Sequence, residues 1–233
     1  MSKIRIIGDC HGCINKRNRL PDKPTYIELC EQLGPDDYSV QLGDMGFNYK
    51  GLNRLDHNRH VFIPGNHDNY TQLLNNEVPY SLGNYGMNGL GPFTFFIVRG
   101  AFSIDAKLRI RDEKLNGQKS WWIEEELNHT QGLNCLEHYE RFKPDVVMSH
   151  DCPYTVSKMI GNPDILLAFG FSINMTTSSQ ELMQQMFDIH QPKLWLFGHY
   201  HVNEKFRYHG TRFICVGERS YIDFNENWEI IHE

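Results

Sequence analysis

The chain has 233 residues, a net charge of −6, and 40% hydrophobic and 12% aromatic residues, which fits one globular domain spanning 1–233 with a sizeable core. The acidic balance argues against wrapping extended nucleic acid. No apolar run approaches the ~20 residues a membrane helix needs, and six irregularly spaced cysteines do not form a disulfide framework.

The amino terminus, "MSKIRIIGDC", meets Asp9 too early for a signal peptide. A cytoplasmic protein with free thiols is therefore expected. The run "KIRII" reads as a buried strand leading into Gly8-Asp9 and His11. Cys10 and Cys13 bracket His11, but a zinc knuckle would need a second ligand pair, and Cys30 stands alone. "TYIELCEQLG" is an amphipathic helix ending at Gly34. "YSVQL" is a strand leading into Gly43-Asp44, and "HVFI" one leading into Pro64-Gly65-Asn66-His67-Asp68. "SLGNYGMNGLG" reads as a loop without dinucleotide-binding spacing. "FTFFIVRGAFSI" reads as hairpin strand and suggests a second sheet.

The stretch "SIDAKLRIRDEKLNGQK" carries Lys107, Arg109, Arg111, Lys114 and Lys119 against Asp105, Asp112 and Glu113. It reads as a solvated hairpin or as a basic lip for an anion. "SWWIEEEL" predicts a helix with Ser120 as N-cap that buries one of Trp121 and Trp122; the alternative stacks an indole on a base. "LNCLEHYERF" is a helix before the strand "DVVM", which leads into Ser149-His150. "SSQELMQQMFDIHQP" predicts a helix with a Ser178–Glu181 capping box and Pro192 beyond its end. "KLWLF" leads into Gly198-His199-Tyr200-His201, and "RFICVGERSYIDF" reads as further hairpin strand. Strands alternating with helices make an α/β protein.

Ligands of open α/β sheets bind beyond the carboxyl ends of the strands. Five strands here deliver Asp9, His11, Asp44, Asn66, His150, His199 and His201 to that edge. Mixed nitrogen and oxygen donors suit Mn²⁺, Fe, Zn²⁺ or Ni²⁺ better than Ca²⁺ or Mg²⁺. Seven donors exceed one open catalytic site and suit two ions about 3.5–4 Å apart sharing a carboxylate.

The ordered set "GDCHG", "GDMGFN", "GNHD", "SHD" and "GHYH" resembles the five motifs of the calcineurin-like metallophosphoesterase superfamily, from residue 9 to residue 201. The resemblance implies a four-layer αββα sandwich of two mixed β-sheets flanked by helices. It implies that Asp9, His11 and His201 hold one metal, that Asn66, His150 and His199 hold a second, and that Asp44 bridges. Two divalent transition-metal ions, Mn²⁺ favoured, would activate a bridging hydroxide. His67 would protonate or orient the leaving oxygen, with Asp68 holding its ring. Cys10 would then point into packing, and Cys13 would begin the following helix or turn.

The expected activity is hydrolysis of a small phosphodiester or nucleotide. The alternatives are a phosphomonoesterase or protein phosphatase, then a nuclease, then a scaffold that has lost its metals. Protein phosphatases of the superfamily carry arginines after the G-D motif and before G-N-H, and these grip a dianionic monoester bidentately. Here Met45-Gly46-Phe47-Asn48 and Pro64 stand at those places, so a diester is favoured. Arg99, Arg109 or Arg111 could restore the clamp from the following segment. Segments 70–92, 105–122 and 152–178 are expected to shape the pocket.

Overall fold

The computed structural model describes residues 2–17 and 20–232. The strands are β1 (Ile4–Ile7), β2 (Tyr38–Gln41), β3 (His60–Phe62), β4 (Tyr85–Leu90), β5 (Phe93–Val98), β6 (Val146–Ser149), β7 (Leu194–Phe197), β8 (Glu204–Tyr208), β9 (Thr211–Cys215), β10 (Tyr221–Phe224) and β11 (Ile230–His232). The helices are α1 (Tyr26–Glu31), α2 (Tyr70–Leu74), α3 (Ala106–Asn116), α4 (His129–Phe142), α5 (Tyr154–Ile160), α6 (Pro163–Ala168) and α7 (Ser178–Ile189). One sheet has the order β11-β10-β1-β2-β3 and the other β4-β5-β6-β7-β9-β8. Both are mixed: parallel through β1-β2-β3 and β5-β6-β7-β9, antiparallel at their other pairings.

The period-2 alternation of a strand explains the layers. Ile4, Ile6 and Val40 of the first sheet meet Phe95, Ile97, Val146, Met148, Leu194 and Leu196 of the second in the core between the sheets. The intervening residues Phe96, Val147, Trp195 and Phe197 face the other way. There they pack on Cys135 and Tyr139 of α4 and on Met183 and Met186 of α7. Behind the first sheet, Ile7, Cys10 and Phe62 pack against Tyr26, Ile27 and Cys30 of α1. Each fully buried side chain of this kind stabilises the fold by roughly 1.5–3 kcal/mol relative to exposure. The result is the helix–sheet–sheet–helix sandwich, with Cys10 in packing as expected.

Several local expectations fail for readable reasons. "SLGNYGMNGLG" contains β4, paired antiparallel from Tyr85–Val98 to Leu90–Phe93. Its glycines sit on an edge strand, which the apolar β5 holds from one side. The 105–119 stretch is not a hairpin but α3, closed by Gly117 at φ +69°. Only Arg109 of that helix is buried, so the sequence has no apolar stripe to betray it. "SWWIEEEL" forms only a short 3-10 turn at Ile123–Glu125, which Ser120 does not cap. Trp122 is the buried indole, its Nε1 donating to Thr71 Oγ1 at 2.9 Å.

The cap of α7 is Thr177, not Ser178; its Oγ1 accepts from Gln180 N at 3.1 Å, while Glu181 receives Thr176 Oγ1 at 2.7 Å. "RFICVGERSYIDF" is not one hairpin. Its first part is β9 in the second sheet, and its last part crosses to the first sheet as β10, antiparallel to β1.

Candidate metal centre

All seven expected donors lie at the same edge, just beyond β1, β2, β3, β6 and β7. The backbone there is unusual. His11 (φ 46°), Asp44 (φ 58°), His199 (φ 68°) and His201 (φ 57°) all occupy the left-handed region. Each such non-glycine residue costs of order 1–3 kcal/mol, and such strain gathers at functional sites. Gly43, at φ +105°, must be glycine for a second reason: a Cβ there would collide with the His150 imidazole.

The donors form two groups that share Asp44. Asp9, His11, Asp44 and His201 make one, and Asp44, His150 and His199 the other, with the donor atoms of each group within 4.8 Å of one another. In the first, Asp9 Oδ2 lies 3.0 Å from His201 Nε2 and 3.7 Å from His11 Nε2. In the second, His150 Nε2 lies 3.2 Å from Asp44 Oδ1 and 3.1 Å from Asn66 Oδ1. His150 Nδ1 meets the Leu42 carbonyl at 2.7 Å, which leaves Nε2 as the nitrogen aimed at these oxygens.

This arrangement fits metal cations. Asp9 Oδ2 is buried with no hydrogen-bond donor. His11 Nε2 and His201 Nε2 approach to 2.8 Å, a pairing that needs a shared proton or a cation between them. The electrostatics agree. Burial opposes ionisation of Asp9 and Asp44, yet the histidines around them hold both carboxyls below their usual range. Burial likewise opposes a charge on His150, but Asp44 outweighs it and pushes the imidazole up to about 10. Two buried carboxylates thus require positive charge, and the nitrogen-rich donor set suits divalent transition metals.

Around the donors the structure adds groups that the sequence did not identify. Asn66 Nδ2 donates to Ser103 Oγ at 3.0 Å. Ser103 Oγ in turn donates to Glu125 Oε2 at 2.6 Å, and Ser103 N to Glu125 Oε1 at 2.7 Å. This relay fixes the Asn66 amide with its oxygen toward His150. Burial pushes the Glu125 carboxyl up to about 7, against the hydrogen bonds from Ser103. No spacing rule links residues 66, 103 and 125; only the fold brings them together.

The expected contact between Asp68 and the His67 ring is replaced by another. Asp68 turns back into the loop and accepts from Gly65 N (2.7 Å), Gly46 N (3.1 Å), Met45 N (3.3 Å) and Tyr49 Oη (3.1 Å). It ties the loop after β2 to the loop after β3. Burial and the Asp44 charge push its carboxyl up to about 7, and the amides oppose this. The group against the His67 ring is Arg109, whose Nη2 lies 2.6 Å from His67 Nδ1. Burial pulls the His67 imidazole down to about 4; Asp44 opposes this and Arg109 adds to it. His67 also packs edge-on to His11 at 5.0 Å, and Phe47 spans the space between His67 and Trp122.

A sequence model of the calcineurin-like phosphoesterase family matches residues 2–203. The chain belongs to this family. Among solved structures, a phosphopantetheinyl hydrolase from Mycobacterium tuberculosis aligns at 17% identity with a TM-score of 0.53, covering 94% of this chain and 90% of that one. A dimetal phosphatase from Danio rerio aligns at 12% identity and TM-score 0.50, covering 95% and 91%. A 5'-nucleotidase-like protein from Staphylococcus aureus aligns at 14% identity and TM-score 0.50, covering all of this chain but 52% of that one. At these identities the likeness shows a shared fold. No curated protein matches the sequence. Family membership and the donor cluster together support a metal-dependent phosphoester hydrolase with a dinuclear divalent-metal site. Among the described residues no helix is long and apolar enough to cross a membrane.

Proposed function

We propose that this chain, acting as one domain over 1–233, is a phosphodiesterase for a small phosphodiester or nucleotide. In this reading Asp9, His11 and His201 hold one metal, Asn66, His150 and His199 hold the other, and Asp44 bridges. Mn²⁺ is the favoured ion. When bound, the pair of ions would supply Lewis acidity at the phosphoryl group and acidify a water molecule. The protein's own part is to place the ester against this edge. His67, kept neutral by burial and by Arg109, orients a phosphoryl or leaving oxygen by hydrogen bonding. Asp68 holds the two loops that carry Asp44 and Asn66. Six buried cysteines, none in a disulfide, favour a reducing compartment, hence the cytoplasm.

The observation that carries the diester preference is the state of Arg109. Its Nε donates to Asp105 Oδ2 at 3.0 Å, and its Nη1 to the carbonyls of Ser120 at 2.9 Å and Asn66 at 3.2 Å. Only Nη2 remains, and it lies against His67. No two-pronged fork is left for a phosphate. Arg99 is spent on Asn84 Oδ1 and the carbonyls of Glu124 and Glu125, and Arg111 is exposed on α3. A dianionic monoester gains most from such a fork, whereas a monoanionic diester depends on it less. Mn²⁺-loaded protein should therefore show higher kcat/KM on bis(p-nitrophenyl) phosphate than on p-nitrophenyl phosphate. A clear monoester preference would replace this reading with a phosphatase.

A further inference from the structure

One wall of the cavity has no use in the chemistry above. The cavity has a volume of about 680 Å³ and is bordered by His11, Asp44, His67 and His199 on its polar side. The same cavity is lined by Ile165, Leu166, Phe169, Ile173 and Met175, from α6 and the loop after it. Phe102 extends this apolar lining from the segment after β5. No residue of α6 is buried, although its sequence runs Ile165-Leu166-Leu167-Ala168. Ile165 is 49% exposed, Phe169 41% and Ile173 47%.

Contiguous apolar exposure of this kind is uncommon on a monomer and marks a binding surface. The wall is nonetheless anchored. Phe171 meets Phe102 edge-on at 5.8 Å. Lys158 Nζ donates to the carbonyls of Ile173 at 2.6 Å and Met175 at 3.2 Å. The apolar side chains are thus held at the cavity by specific contacts while remaining uncovered.

We infer that this wall receives an apolar arm of the substrate. The enzyme takes an amphiphilic phosphodiester: the phosphoryl group sits at the Asp44 edge, and a long alkyl or comparably apolar alcohol lies along Ile165, Phe169 and Ile173. This rests on the phosphodiesterase reading for the type of ester. Continuity decides the occupant, because the same cavity joins Asp44 to Ile173, so whatever fills the apolar side is in reach of the reacting phosphorus. Its size is that of a small-molecule site.

The test is a series of p-nitrophenyl alkyl phosphodiesters with methyl, butyl and octyl arms, all sharing one leaving group, turned over by the metal-loaded enzyme. Each methylene buried on the wall should raise kcat/KM about fourfold until the wall is filled. Phe169→Ser and Ile173→Ser should each lower the octyl-to-methyl ratio about tenfold, a comparison made within one enzyme and so independent of its overall activity. Alkyl phosphomonoesters of the same lengths, followed by phosphate release, separate the two readings. Chain-length gain on the monoesters without diester turnover keeps the apolar arm and overturns the diester assignment. Diester turnover that is flat in chain length overturns the arm and keeps the diester assignment. Turnover of neither series overturns both. A dimer in sedimentation that Phe169→Ser dissolves would give the wall to a second copy of the chain and overturn the inference.

Discussion

On one side of the cavity, donors stand on strand ends, mostly buried; four of them sit at left-handed backbone positions, Asp68 ties two of the loops, and the Ser103–Glu125 relay fixes the Asn66 amide. On the other side, residues 162–175 expose apolar side chains and are fastened at a few points. The polar side resists change in position, because charged donors tolerate little displacement. The apolar side needs only surface and shape, because the hydrophobic effect is non-directional. In the proposed function, chemistry and substrate choice fall to different parts of the chain, so each should be alterable separately.

The largest effects should come from the polar side. Asp44 belongs to both donor groups and His150 to one. Asp44→Asn should therefore lose both ions and about 10³-fold in kcat/KM, while His150→Ala loses one ion. Metal analysis of the two purified variants checks this; an Asp44→Asn protein that retains two ions would remove the bridge. His67→Ala should keep its metals and lose about 10²–10³-fold in kcat, the scale of removing one positioned hydrogen-bond donor. Because Arg109 and burial keep the ring neutral, the loss should be the same for aryl leaving groups of different pKa. A loss that shrinks for better leaving groups would make His67 the proton donor.

A smaller effect separates the two donor groups. Ser103→Ala frees the Asn66 amide, so affinity for the ion proposed at Asn66, His150 and His199 should fall about 10–100-fold, with the other ion unaffected. Calorimetric metal titration of the metal-free variant reads both steps, and equal weakening of both would leave Ser103 a merely structural role.

The smallest effect lies beneath the polar side, at His60 of β3. Burial, with Arg59 adding, holds its imidazole down at about 4 from an ordinary 6.5. The unfolded chain therefore takes up a proton near pH 6.5 that the folded chain refuses until about pH 4, so stability falls as pH drops through that window and is constant above it. The difference is on the order of 2 kcal/mol at pH 5. Urea unfolding of metal-free protein at pH 7.5 and pH 5 should show it, and His60→Gln should lack that part of the slope. Residues 162–175 contain no histidine and do not contribute to this step.

The same contrast explains what could be read from the sequence. Asp9, Asp44, Asn66, His150 and His199 each follow a short apolar run, and a buried strand ending in a turn fixes where the next side chain arrives. The four layers came from the family resemblance; the alternation of apolar residues accounts for how they pack. By contrast, α3 presents charges on most faces and buries only Arg109, so no periodicity announced it. Arg109 was one of three arginines that could reach the site, but its partners Asn66, His67 and Ser120 are set by packing. Asp68 followed His67 in the motif, yet its turn toward the Gly46 and Gly65 amides is a tertiary event. Segment 152–178 was recognisable as a pocket border, but not as an apolar wall, because Ile165, Phe169 and Ile173 look like ordinary core residues until none of them is found buried.

In the proposed function Asp44 joins two metal sites, and together they make hydrolysis possible. Elemental analysis of the purified protein, paired with bis(p-nitrophenyl) phosphate turnover before chelation, after it and after adding Mn²⁺, tests this most directly. The expected result is about two divalent transition-metal ions per chain, activity lost on chelation, and activity regained with Mn²⁺ as both ions return. Full hydrolysis by exhaustively chelated protein, or a maximum reached at one ion per chain, would contradict it.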